Sequence, residues 1–271
     1  MFKAIALGGG GVRGGLQVGA LAAIEEMQGN LVFPDGIYGC SVGSIIATGV
    51  AFNMNAAQIK AMLDNDFHMS DVIPTIRLST LSDFYKKKGA FSMDLLEEMI
   101  VSSFAKRGIE IRDKLISDSP QKLFIFAANM TTQKPTAFTG EVPLLSAIKA
   151  SCCLPLVFHP QIIFNQVYLD GGVYIHCLAD IVPSDCLVLH ISTPPRPIFP
   201  ADIETMSIGD MMTRVYTGMR KKPVHSGILW LQDETTGLMD TQTLEDKEKM
   251  YQSGYSQASR FLAKRFPEKL E

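Results

Sequence analysis

Apolar residues in this chain come in short runs that alternate between two periods. Ala4 to Leu7 are four consecutive apolar positions, the pattern of a short buried strand. Leu16, Ala20, Ala23, Ile24 and Met27 then recur at three- and four-residue spacing, as one face of a helix does. Ile37 and Tyr38 close a second apolar run, and Ser44-Ile45-Ile46-Ala47 continues with helix-compatible spacing. No residue from Ile37 to Phe52 is charged, but the run is broken by Gly39, Gly43 and Gly49 and falls short of the roughly 20 residues that cross a bilayer. It therefore predicts a strand and a buried helix joined by a tight turn. Ala56 to Leu63 reads as a helix, and Ser92 as the cap of another that carries Met93, Leu96, Met99 and Ile100. Residues 66–90 between them, with Pro74 and Gly89, read as a connection rather than a flap over a site.

Farther along, Lys122 to Ala128 predicts a buried strand, Ile162 to Leu169 a hairpin turning near Asn165-Gln166, and Cys186 to Ile191 another strand. Pro194, Pro195, Pro197 and Pro200 then interrupt regular structure and open a C-terminal subregion. Within it Ile208, Met211, Met212 and Val215 form an apolar helical stripe, and Thr243 begins a last helix bearing Tyr251, Tyr255, Ala258 and Leu262. The alternation of helices and strands predicts an α/β layer architecture. Residues 1–192 are expected to form the core, with 193–271 packed on the same domain.

Composition narrows the function classes. With 271 residues, 46% of them hydrophobic, the chain can bury one sizeable core, and a net charge of −3 gives no basic footprint for nucleic acid. Lys86-Lys87-Lys88 and Arg220-Lys221-Lys222 read as solvated loops, with an anionic lipid surface as the alternative. Cys40, Cys152, Cys153, Cys177 and Cys186 show neither zinc spacing nor a disulfide framework. Ala4 to Leu7 is too short for a signal-peptide core, so a cytoplasmic protein, peripheral at membranes, is expected. Methionine, 14 in all, reads as core rather than as a dedicated acyl-binding surface.

Two glycine motifs carry the candidate chemistry. Gly8-Gly9-Gly10-Gly11-Val12-Arg13-Gly14 sits between the first strand and the first helix, where free N–H groups attract negative charge. A dinucleotide site would also want an acidic residue at the end of a second strand, whereas Glu25 and Glu26 still belong to the helix; a P-loop would want Gly-Lys-Ser/Thr. Gly39-Cys40-Ser41-Val42-Gly43 suits a strand-to-helix turn that lifts a serine hydroxyl clear of the backbone. The glycine run would then serve the oxyanion formed by Ser41, through Gly9, Gly10, Gly11 and Val42, with Arg13 adding positive charge. Cys40 reads as a small buried residue without a chemical role.

For a base, His68, His159, His176, His190 and His225 offer no decisive placement, although the chain order of an α/β-hydrolase nominates His190 or His225. Asp170 is the other candidate, delivered by a strand into Asp170-Gly171-Gly172, which taken alone is an ordinary turn.

The glycine run, the Ser41 pentapeptide, Asp170-Gly171-Gly172 and the segment Ala150-Ser151 through His159-Pro160 occur in the order that resembles the patatin-like phospholipase family, over roughly residues 3–190. That resemblance implies a three-layer α/β/α fold with a mostly parallel central sheet. It also implies a lipid acyl hydrolase of phospholipase A or lipase type. Ser41 would be the nucleophile and Asp170 its base, forming an acyl-enzyme without cofactor or metal, with Gly14, Gly39, Gly43, Gly171 and Gly172 supporting the turns. Phospholipid or acylglycerol is the implied substrate, and the oligomeric state is left open. Val173 to Leu178 lacks the asparagine and proline common in the family, which leaves the acyl pocket open. The alternatives are an esterase with a Ser-His-Asp triad and a catalytically silent lipid-binding protein.

Overall fold

The computed structural model describes residues 2–73, 78–192, 197–206, 211, 214, 227–233 and 236–267. In chain order the elements are β1 (Ala4–Leu7), α1 (Gly14–Gln28), β2 (Gly36–Cys40), α2 (Val42–Ala51), α3 (Ala56–Asp66), α4 (Met69–Val72), α5 (Leu78–Lys87) and β3 (Gly89–Phe91). Then come α6 (Asp94–Ala105), β4 (Leu123–Asn129), β5 (Lys134–Phe138), α7 (Leu144–Cys152), β6 (Leu156–Phe158), β7 (Gln161–Ile163) and β8 (Gln166–Asp170). The last are β9 (Leu187–Ser192), β10 (Ile228–Gln232) and α8 (Leu244–Arg265).

A mixed sheet runs β10-β9-β1-β2-β4-β8-β7, with β5 also on β4; β10, β9, β1, β2 and β4 are mutually parallel, β5 and β8 run antiparallel to β4, and β7 runs antiparallel to β8. The expected mostly parallel sheet flanked by helices is therefore present. Strand residues alternate cleanly between two cores. Ile5, Leu7, Ile37, Ile125, Leu187 and Leu189 point into the one made with the helices, among them Leu21 of α1, Ile46 of α2 and Ala258 of α8. Ala4, Ala6, Tyr38, Phe126 and Val188 point to the other face, covered among the described residues by Ile175, Cys177, Leu178 and their neighbours, partly in 3-10 turns. Beyond the proline cluster, β10 pairs in parallel with β9, and α8 lies along α1. Thr243 caps α8, its side chain accepting from Asp246 N at 3.1 Å.

Several elements differ from the sequence expectation. Residues 66–90 are not a plain connection: they hold α4, α5 and the start of a separate two-stranded sheet in which β3 pairs with β6. Phe67, His68, Val72 and Ile73 form part of the wall of the cavity beside Ser41. The hairpin of β7 and β8 is present but turns one residue earlier, at Phe164-Asn165, both at positive φ. Met93 rather than Ser92 is the cap residue of α6; the Ser92 hydroxyl donates to the Asp94 side chain. The stripe at Ile208, Met212 and Val215, as well as Pro74, Pro194, Pro195, Arg220-Lys221-Lys222 and His225, lies outside the described residues. Among the described residues, no helix is long and apolar enough to cross a membrane.

Candidate active site

Ser41 occupies the single residue between β2 and α2, with φ 54 and ψ −133. A non-glycine residue at such a φ costs about 1–3 kcal/mol unless its surroundings force it, and here several contacts do. Ser41 N–H donates to Ser151 Oγ at 2.8 Å, and that hydroxyl donates on to the Phe126 carbonyl at 2.6 Å, tying the turn to α7 and β4. Ser44 holds the other side, its N–H and Oγ donating to the Ser41 carbonyl at 2.8 and 2.6 Å. Gly43 must lack a side chain, because a Cβ there would overlap the Leu7 carbonyl. Gly39, on β2, lies against Ser44 and Ala47 of α2.

The glycine run follows β1 as expected and faces Ser41. Gly9 approaches so closely that a Cβ would lie 3.1 Å from the Ser41 Cβ. Among the described residues no hydrogen bond ends on the N–H groups of Gly9, Gly10 or Gly11, nor on that of Val42 at the first turn of α2. Arg13 is 3% exposed, and its Nε donates to the Gly10 carbonyl at 3.1 Å, so its guanidinium braces the turn from inside. Gly14 starts α1 against Val42 and Ile46. Two further braces escaped the sequence reading. Buried Gln17 donates from Nε2 to the Gly8 carbonyl at 2.8 Å, and Val12 N–H donates to the Leu238 carbonyl at 3.1 Å.

Asp170 ends β8. Its N–H donates to the Cys153 carbonyl at 2.7 Å, and its Oδ1 accepts from Gly172 N–H at 2.8 Å. Gly171 packs over Cys40 Sγ and the Phe126 carbonyl. Register explains how distant parts of the chain meet: Cys40 of β2 pairs with Phe126 of β4, and the next residue of β4, Ala127, pairs with Asp170. Ser41 and Asp170 thus lie on either side of one strand, and both line one cavity together with Gly9, Gly10 and Arg13. Ser41 is 7% and Asp170 4% exposed. Cys152 and Cys153 beside them keep their thiol protons. Burial, reinforced by the Asp170 charge, drives the Cys152 thiol far up and pushes Cys153 up to about 12.

Ser41 also lines a second cavity, which Asp170 does not line. Its walls are chiefly apolar, including Ile45, Leu63, Phe67, Val72, Leu96 and Met99. Met99 and Met250 are therefore cavity wall, whereas Met54 and Met62 are fully buried core. Lys247 of α8 reaches this wall, donating from Nζ to the Leu63, Asp64 and Phe67 carbonyls at 2.7, 3.1 and 2.8 Å; burial holds its pKa below the usual lysine value. Of the histidines, His190 and His176 line the polar cavity and His68 the apolar one, and His190 stands edge-on to Trp230. Among the described residues no group of three or more His, Cys, Asp or Glu side chains could hold a metal ion.

A family model described as patatin-like phospholipase matches residues 5–182. The chain belongs to this family. Its relatives include an uncharacterized protein of Acanthamoeba polyphaga mimivirus, 31% identical over 63% of this chain and 58% of the relative. Another is a probable lipid hydrolase of Invertebrate iridescent virus 6, 27% identical over 66% and 63%. A cUMP-AMP-activated phospholipase of Escherichia coli is 24% identical over 63% and 54%. The matches thus cover only about six tenths of the length of these curated relatives. Among solved structures, VipD of Legionella pneumophila shares the fold at TM-score 0.55 and 13% identity, covering 97% of this chain and 67% of VipD. ExoU in complex with SpcU, from Pseudomonas aeruginosa, does so at TM-score 0.51 and 15% identity, over 97% and 53%. The patatin-like match ends at residue 182, but Leu238, Lys247 and Met250 beyond it brace or line the cavities at Ser41.

Proposed function

We propose that this patatin-like chain is a lipid acyl hydrolase that cleaves carboxylic esters of phospholipids or acylglycerols through a Ser41–Asp170 dyad. The observation that carries the proposal is the position of Ser41 at the junction of two cavities, one apolar and one shared with Asp170 and the glycine turn. The acyl chain lies along the apolar walls, which places the ester carbonyl at Ser41. Asp170 takes the hydroxyl proton as Oγ bonds to the carbonyl carbon. The negative oxygen is met by the N–H groups of the glycine turn and of Val42, aided by the positive end of α2. Collapse breaks the ester bond; Asp170 returns the proton to the departing alcohol, leaving an acyl-Ser41 ester. A water that gives its proton to Asp170 then attacks the acyl carbon; as the Oγ–carbonyl bond breaks, Asp170 passes that proton to Ser41 Oγ, releasing the fatty acid and restoring both side chains.

A carboxylate in water titrates near 3.9, too acidic to deprotonate a hydroxyl unaided. The burial of Asp170 and the stabilised oxyanion supply the rest. Five buried cysteines, none of them in a disulfide, suit the reducing cytoplasm, where we place the protein. Hydrolysis of phospholipid vesicles and of a soluble short-chain ester tests the proposal. Folded Ser41→Ala and Asp170→Asn proteins should each lose turnover, and normal turnover by either overturns it. The competing histidine relay rests on His190, which lines the same cavity; His190→Ala keeps most activity with a dyad and abolishes it with a relay.

A further inference from the structure

An exposed ridge of mixed character lies one strand pairing away from a segment that lines this site. At the end of α5, Phe84 is 41% and Tyr85 80% exposed, and the exposed lysines Lys86, Lys87 and Lys88 follow directly. From Phe84 to Phe91 the chain holds three lysines and no acid. Lys88 fixes the ridge by donating from Nζ to the Tyr85 carbonyl at 2.8 Å, its ammonium 5.3 Å from the centre of the Tyr85 ring. The ridge does not stand alone. α5 packs on β3, and Gly89, the next residue after the lysines, pairs with Leu156 of β6. Leu156 is 51% exposed at φ 68, an apolar side chain set outward one strand from the end of the lysine run. Leu154 lines both cavities at Ser41, Pro155 lines the polar one and Phe158 the apolar one, so β6 joins the ridge to the catalytic mouth.

We propose that Phe84, Tyr85, Lys86, Lys87, Lys88 and Leu156 form the face by which this protein docks on an anionic lipid bilayer. Aromatic and aliphatic side chains enter the interface while the lysines bind acidic headgroups. This orientation turns the mouth beside Leu154 and Pro155 toward the membrane, so that a lipid passes into the apolar cavity without crossing water. The commitment to a bilayer, rather than a protein groove, rests on charge complementarity: three adjacent ammonium groups beside apolar side chains match an acidic headgroup layer over acyl chains. The proposal rests on the hydrolase reading for its biological meaning but not for its test.

Docking is measured by co-sedimentation of the Ser41→Ala protein with phosphatidylcholine vesicles, with and without phosphatidylserine. Binding should require phosphatidylserine and weaken as salt rises. Adding Lys86→Gln, Lys87→Gln and Lys88→Gln together should weaken it about 100-fold at low salt, and Phe84→Ser with Tyr85→Ser should weaken it as well. With Ser41 intact, the same substitutions should slow vesicle hydrolysis while leaving the rate on a soluble short-chain ester unchanged, which also shows that the variants fold. Binding that ignores phosphatidylserine, or that survives the triple lysine change, overturns the proposal. Lysine-dependent binding by a protein that hydrolyses no ester upholds this face and overturns the hydrolase reading instead.

Discussion

Ser151→Ala removes a single oxygen that neither cavity sees, yet it should reach the nucleophile. Ser151 is fully buried; its Oγ accepts from Ser41 N–H at 2.8 Å and donates to the Phe126 carbonyl at 2.6 Å. Alanine leaves a buried donor without its acceptor, a loss of about 1–3 kcal/mol, and weakens the hold on a φ of 54 whose own strain is about 1–3 kcal/mol. Unfolding free energy should therefore fall by about 2–4 kcal/mol. If about half of that appears as misplacement of Ser41 Oγ, turnover falls roughly fivefold to thirtyfold, since about 1.4 kcal/mol is a factor of ten. Urea denaturation gives the first quantity, and steady-state kinetics on a soluble ester the second, with the loss expected in kcat and KM little changed. A variant that is destabilised but turns over normally would refute the claim that this brace sets the nucleophile; one unchanged in both respects would refute the hydrogen-bond relay itself.

Other consequences are as concrete. Gly9→Ala puts a Cβ 3.1 Å from that of Ser41 at a position without positive φ, so turnover should drop about 100-fold with a melting temperature within a few degrees of the parent. Met99→Trp fills part of the apolar cavity and should reduce kcat/KM for a palmitoyl ester at least about tenfold while sparing a butyryl ester; an unchanged chain-length profile places the acyl chain elsewhere. Burial pushes the Asp66 carboxyl up, but Lys106 and Arg107, each 2.6 Å away, outweigh it and hold the pKa below the usual aspartate value. Its stabilisation is thus complete above about pH 4 and lost as pH falls through the depressed folded value. The stability gap between parent and Asp66→Asn should shrink in that acid window and stay constant from pH 5 to 7.

Much of the sheet was legible because its strands carry their own signals. Ala4–Leu7 and Leu123–Asn129 are apolar runs, and the two glycine motifs sit at the strand ends that follow β1 and β2. β5 gave no such signal: Lys134 to Phe138 contains Pro135 and turns mostly to solvent. β10 is a run of only five residues whose membership depends on pairing with β9, a fact of tertiary structure. The segment from Ala150 reads as a motif in the sequence, but the purpose of its serine does not, because Ser41 and Ser151 meet only through folding across 110 residues. Gln17 was hidden in the same way, a polar residue on a buried helix face whose partners are carbonyls of other elements. Helices α4 and α5 do not show in the sequence, where Pro74, Gly89 and a lysine run suggest a connection; α5 is held by packing on β3 and α4 by packing on α6.

The pairing of one alcohol with one carboxylate is tested most directly by a fluorophosphonate probe followed by peptide mass spectrometry. The account predicts a single modified residue, Ser41, labelled rapidly in the parent and at least about 100-fold more slowly in folded Asp170→Asn. Modification at another serine, or equal labelling of Ser41 without the carboxylate, would contradict it.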